Sequence, residues 1–306
     1  MEHLLVPGFL RRSSLLVGIH KGFFANEQLE VEFELIGLAP DHIRNLAEGR
    51  WPLSMTAVDT MLARAIGDGL DFTAFMQTEQ GLDVQLVARP EIKSFADLRG
   101  KLFAADPVDS NFDLIRNKIM RDHGITQDEY RFEIIGNSYL RLEALQQGKV
   151  AAAMLAPPST DRAVAGGCVI LAEGADHVSD WPITCGWGLR PLIAASRATI
   201  VRYIRASVAA TQWLLEPENR EETIRLLMQV EKLSRPRAEK AYSQVVPMCA
   251  LDTKALRKNI ELRIELGYYK PPHKPTEAFY DSSYWSEATG LPAPEPVGYP
   301  RNAVPA

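Results

Sequence analysis

Phe33-Glu34-Leu35-Ile36-Gly37 has a near copy in Phe132-Glu133-Ile134-Ile135-Gly136, and Leu46-Ala47-Glu48-Gly49-Arg50 has one in Leu145-Gln146-Gln147-Gly148-Lys149. Met55 is matched by Met154, and every pair stands 99 positions apart (33 to 132, 46 to 145, 55 to 154). In each copy an apolar run leads into a helical pattern, the pattern stops at a glycine, and a second apolar run follows. An α/β order written twice predicts two similar lobes, each a central mixed sheet flanked by helices, with a ligand cleft between them.

Outward from the first copy, the pattern predicts a strand near 3–7, a helix near 13–24 with Ser13 and Ser14 as natural N-caps, strand 30–36, helix 40–48, strand 52–56, helix 59–67 and strand 71–77. Around the second copy it predicts strand 101–105, helix 111–123 capped by Asp109 or Ser110, strand 131–136, helix 138–147, strand 150–155, helix 158–165 and strand 168–172. Gly81–Arg89 alternates as a strand does and carries the chain to the second lobe, and Asp180–Arg190 brings it back. Helices near 197–215, 219–229, 233–244 and 252–266 then close on the first lobe. The expected division is 1–85 plus 190–270 for lobe 1 and 86–189 for lobe 2, with a tail rich in proline and aromatics over 271–306 that packs on the surface.

Bulk properties narrow the function classes. The 306 residues, 46% hydrophobic and 24% charged, suffice for two domains with cores of their own. A formal net charge of -5 argues against nucleic acid as a partner, because phosphate neutralisation needs a basic face. Cys168, Cys185 and Cys249 have no CxxC spacing, and the six histidines form no ligand pair, so neither a metal nor a cofactor is expected. No apolar run approaches the ~20 residues of a membrane span. No signal peptide is visible, which places the protein in the cytoplasm if Met1 is the native start and in the periplasm if the sequence is a trimmed mature form.

Several phrases resemble one family. Gly22-Phe23-Phe24 before Leu29-Glu30-Val31-Glu32-Phe33 is similar to the opening of the NMT1/THI5-like and SsuA-like group of periplasmic-binding-protein type II folds. The lobe crossover Ile92-Lys93-Ser94-Phe95-Ala96-Asp97-Leu98-Arg99-Gly100-Lys101 resembles the same group, as do Arg141-Leu142-Glu143-Ala144-Leu145 and Gly148-Lys149-Val150. The resemblance implies a hinged, two-lobed binding protein that closes on a small organic anion (carboxylate, sulfonate or aromatic acid) and delivers it to an ABC transporter permease. A minority of the family are enzymes, so the alternative it implies is a cytosolic decarboxylase or desulfinase-type lyase or hydrolase acting on an aromatic acid. The cysteine- and histidine-rich motifs of its thiamine-pyrimidine branch are absent.

In open α/β sheets ligands sit beyond the carboxyl ends of the strands. That rule nominates the loops Gly8–Ser14, Met55–Asp59, Gln77–Glu79, Asp106–Asn111, Gly136–Tyr139 and Leu155–Pro158, and with them Phe9, Thr56, Gln77, Thr78 and Pro157 as lining. Arg11, Arg12 and Ser13 are the sharpest candidates: they read as an anion site, since guanidinium groups at a helix start oppose the helix dipole unless an anion is present, or as two solvated arginines flanking an N-cap. Asp59 reads as a helix cap or a ligand carboxylate. Asp106, Asp109, Ser110 and Asn111 read as caps or as partners for a ligand that carries an amine or phenol. Asn137 offers a neutral contact, Tyr139 a neutral contact or packing, and Trp181 and Trp187 stack on a planar ligand or pack at the hinge. For catalysis the candidates are Cys185, His20 and Asp59; a cysteine in this setting reads first as buried and inert.

Overall fold

The computed structural model describes residues 1–9, 11–36 and 39–293. Leu10, Gly37, Leu38 and the end of the expected tail from Pro294 onward, Tyr299 included, lie outside the described residues. The chain divides into two compact units, one of Met1–Gln80, Pro182–Arg257 and the segment from Lys274, the other of Gly81–Trp181 and Lys258–His273.

Among the described residues the strands are β1 (Glu2–Gly8), β2 (Leu29–Leu35), β3 (Ser54–Thr56), β4 (Phe72–Gln80), β5 (Gln85–Ala88), β6 (Leu102–Ala105), β7 (Arg131–Ile134), β8 (Ala152–Leu155), β9 (Val169–Glu173) and β10 (Pro182–Leu189). In the second unit they form one sheet in the order β7-β6-β8-β5-β9, in which β5 runs antiparallel to both neighbours. The first unit repeats this order in two pieces, parallel β1-β2 and antiparallel β3-β10-β4, with β1 packed beside β3. The returning strand β10 takes the place that β5 holds in the other unit.

The sequence repeat becomes a repeat of geometry. Phe33 pairs with Val6 across β1 and β2, and Phe132 pairs with Phe103 across β6 and β7. Helices Ala39–Ala47 and Ser138–Gln146 both stop at a left-handed glycine, Gly49 at φ 73° and Gly148 at φ 71°. Each glycine amide returns to the helix at 3.1 Å, to the carbonyls of Leu46 and Leu145. This C-terminal turn favours glycine because a Cβ at positive φ meets the backbone.

The core of the first unit gathers Leu4, Val6, Leu15, Leu29, Met55 and Phe75 against helix Arg197–Leu215, with Phe24 stacked on Tyr203 at 5.1 Å. The expected stripe Ile200, Val201, Ile204 and Val208 is buried there, whereas Trp213 is half-exposed beneath the Lys21 ammonium. Tyr284 and Trp285 belong to the same core, and the Trp285 indole donates to the Met248 carbonyl at 2.8 Å. This corrects the reading of 271–306 as a surface tail: helix Ser283–Thr289 supplies aromatic area that the first unit buries.

The second unit packs Leu86, Phe103, Leu114, Ile115 and Trp181 around Leu262. Lys258–His273 belongs here and not to the first lobe, because Leu262 fills this core, Arg263 pairs with Asp109 at 3.2 Å, and the Tyr268 hydroxyl donates to Asp113 at 2.6 Å. The stretch Gly81–Arg89 is a strand only over Gln85–Ala88; β4 instead continues to Gln80, past the expected end at 77.

Candidate functional site

In the first unit, strand β4 and the start of the first helix bring Arg12, Ser13, Thr78 and Glu79 together. Helix Ser13–His20 has Arg12 as its N-cap, no capping side chain and no acid in its first turn. Ser13 and Ser14 are therefore buried members of the helix and not its caps. Arg11 turns to Glu231 at 2.7 Å and lies over the Phe33 ring.

Glu79 is 1% exposed. Thr78 donates to its Oε2 at 2.6 Å, while Oε1 has no hydrogen-bond partner among the described residues. Burial raises its pKa above the usual carboxylate value. The Arg12 guanidinium, without a direct ion pair to it, pulls the other way, as do the Thr184 hydroxyl and the Ser13 amide, neither of which reaches Oε1 in bonding geometry. Arg11, Arg12, Ser13, Glu79, Leu227, Leu233 and Ala241 line a cavity of about 10 Å³, room for one water-sized group. Strand β10 loses register against β4 between Pro182 and Trp187, with Thr184 paired to Glu79 and Cys185 to Gln77.

Beside this lies a buried polar chain. His42 meets the Ser54 hydroxyl at 2.8 Å, Ser54 meets Thr56 at 2.9 Å, and the Trp187 indole donates to Thr56 at 3.1 Å. The rings of Phe9, Trp51 and Trp187 surround His42, and desolvation lowers its pKa to about 4. Of these groups Phe9 reaches solvent, at 51% exposed.

In the second unit a single side chain joins two of the nominated loops to the strand that leads into the third. Arg141 donates to Asp106 at 2.8 Å, to the Gly136 carbonyl, to Ser138 at 3.1 Å and to the Met154 carbonyl at 2.9 Å. Its guanidinium also covers the Phe112 ring at 4.4 Å. The Asp106 carboxylate is thus engaged internally.

The remaining candidates divide by role. Ser110 and Asn137 are helix caps, accepting from the amides of Asp113 and of Tyr139 and Leu140. Asn111 accepts from the Phe112 amide, Asp109 pairs with Arg263, and Tyr139 stands in solvent. Gln77 accepts from the Asp252 amide at 3.1 Å inside the first unit. Pro157 is joined to Pro158 by a cis peptide bond. Trp181 and Trp187 are buried in the packing of their units, each with no more than 1% exposed, and offer no open ring face for stacking.

The catalytic candidates fare similarly. Cys185 is buried, and desolvation together with the charges of Glu79, Asp59 and Asp252 pushes its thiol well above its ordinary value, the opposite of what a nucleophile needs. His20 is exposed in the last turn of its helix. Asp59 is buried in the first turn of helix Val58–Gly67, whose N-cap is Ala57, so it is not the cap. Among the described residues no group of three His, Cys, Asp or Glu side chains is placed to hold a metal, and no helix is long and apolar enough to cross a membrane.

The sequence places Glu79 in a nominated loop without singling it out, and it does not point to His42 or Arg141 as site residues. Glu79 adjoins Thr78 at the end of an otherwise apolar strand, a signal that was available; His42 and Arg141 sit on helices whose pattern does not reveal a buried polar tip.

An α/β chain of two sheet-centred units with the same strand order has the fold of the periplasmic binding proteins, and solved structures agree. The chain is similar to the alkanesulfonate-binding protein SsuA of Xanthomonas axonopodis pv. citri, solved with MOPS bound, at 15% identity over 92% of this chain and 99% of that one, with a TM-score of 0.73. It is similar to the nitrate-binding protein NrtA of Synechocystis PCC 6803 at 14% identity over 94% and 88%, with a TM-score of 0.72. The desulfurization enzyme DSZB is similar at 12% identity over 95% and 99%, with a TM-score of 0.68. At such identities the likeness is one of fold. The sequence itself matches the NMT1/THI5-like family over residues 12–164, and the chain belongs to that family. A comparison with curated protein sequences finds no match.

Proposed function

We propose that this protein binds a small organic anion as the solute-binding component of an ABC-type uptake system, which would set its working location outside the inner membrane with a permease as partner. Family membership and a fold shared with sulfonate- and nitrate-binding proteins support the reading. The observation that carries it is the start of the first helix, where Arg11 and Arg12 precede a first turn without an acid. Two guanidinium groups there raise the potential at backbone donors that already favour an anion. Glu231 balances Arg11, which leaves Arg12 as the principal charge for a ligand.

The enzyme reading draws no comparable support from Cys185, His20 or Asp59, whose surroundings are set out above. The test is native mass spectrometry of gently purified protein, followed by calorimetric titration with alkanesulfonates, benzoates and nitrate. Arg12→Ala should weaken the best of these by about 10- to 100-fold, the worth of a hydrogen bond to a charged group. Failure of every anion to bind would overturn the proposal, and chemical conversion of a bound acid would turn it toward an enzyme.

A further inference from the structure

We propose that Glu79 and Ser13 form a donor-reading subsite, so that the ligand carries a hydroxyl or amine on one small group in addition to its anionic head. The inference rests on the anion-binding reading and sharpens it. Two side chains that are each 1% exposed, Ser13 and Glu79, line the same water-sized cavity with Arg12, and the Ser13 Oγ and Glu79 Oε1 atoms have no hydrogen-bond partner among the described residues. Thr184, paired with Glu79 in the β4–β10 register and also 1% exposed, leaves its hydroxyl equally unmatched. Buried polar atoms are ordinarily satisfied, and two such atoms lining one hollow, Ser13 Oγ and Glu79 Oε1, mark a place where something else completes them.

The chemistry of the atoms says what that is. In its ionised form the Glu79 carboxylate only accepts, so the group that faces Oε1 in that form donates to it. The Ser13 hydroxyl accepts or donates as required. A hydroxyl donates to Glu79 and accepts from Ser13; an amine donates to both. A methyl group satisfies neither of them, and an oxyanion oxygen at the same point meets the carboxylate as a like charge. The volume admits one non-hydrogen atom, and Leu227, Leu233 and Ala241 close the cavity with apolar carbon, so a longer polar extension has nowhere to go. Arg12 remains at the rim for the anionic head. Glu79 thereby acts as a specificity residue that disfavours bare oxyanions such as nitrate.

The experiment is titration calorimetry at neutral pH with acids matched in size: 2-hydroxyethanesulfonate and 2-aminoethanesulfonate against 1-propanesulfonate, and 4-hydroxybenzoate against 4-methylbenzoate, with nitrate as the bare oxyanion. In the wild-type protein the hydroxyl or amine member of at least one series binds ~10-fold or more tighter than its methyl partner. In Glu79→Met the ratio falls to within about twofold of one. Ser13→Ala, which removes a smaller group and keeps the carboxylate, lowers the ratio severalfold and serves should the Glu79 variant fail to fold by thermal melting. Equal binding of both members by the wild-type protein overturns the subsite and leaves anion binding standing. Equal weakening of both members in the Glu79 and Ser13 variants also overturns it, because the residues would then be structural. Absence of binding by every compound overturns the anion-binding reading as well.

Discussion

Replacing Arg141 with methionine should loosen the second unit as a whole. The side chain is 1% exposed and spends its donors on the Asp106 carboxylate, the Ser138 hydroxyl and the carbonyls of Gly136 and Met154. Methionine fills a similar volume and offers no donor, so the carboxylate and two carbonyls lose their partner together. Breaking a buried ion pair from one side costs about 3–5 kcal/mol. Asp106 keeps 19% of its side chain in contact with water, which sets the expected loss at the low end, about 3 kcal/mol. For a unit of this size that lowers the melting temperature by roughly 10 °C. Arg141→Lys restores the charge but not the planar fork and should recover less than half of the loss. The assay is thermal and urea unfolding, with hydrogen exchange followed by peptide mass spectrometry to locate the change. Protection should fall in peptides over 102–160 and stay unchanged over 1–80. A loss below about 1 kcal/mol, or one spread evenly over both units, would refute the claim that this guanidinium ties the two loops to β8.

Other outcomes follow from the same geometry. His42, held near pKa 4 against an ordinary 6.5, binds fewer protons folded than unfolded, so stability falls as pH drops from 6.5 to 4, by at most about 3 kcal/mol. His42→Gln should flatten the urea midpoint across that window. Glu79 has the opposite sign: its raised value means that stability declines as pH rises above 4.5, and the decline should vanish in Glu79→Gln. At Gly186 an added Cβ would stand 2.6 Å from the Phe75 ring and 2.7 Å from Met76, so Gly186→Ala should cost about 1–3 kcal/mol by chemical denaturation. All three cysteines are free and buried, and Ellman's reagent should titrate none of them until the protein is unfolded.

Most of the second unit's elements are legible in the chain to within two residues: helix Asn111–Asp122 against 111–123, helix Ser138–Gln146 against 138–147, and β8 at Ala152–Leu155 against 150–155. Alternation and helical spacing are local properties, and so are the glycine stops at Gly49 and Gly148. The repeat carried this further, because two like segments must build like sheets.

What local pattern could not reach are partners distant in sequence. Trp285 finds the Met248 carbonyl, Arg263 finds Asp109, and Tyr268 finds Asp113, 155 residues away; these contacts decide which unit owns the last third of the chain. The site divides in the same way. Its loops follow from strand ends, and Arg11, Arg12 and Ser13 follow from a helix start. Which carboxylate is engaged, which tryptophan is sealed in a core and which acid lines a hollow depend on burial, and burial belongs to the folded whole. A side chain's type names what it can donate or accept; only tertiary packing determines whether water, another residue or a ligand answers it.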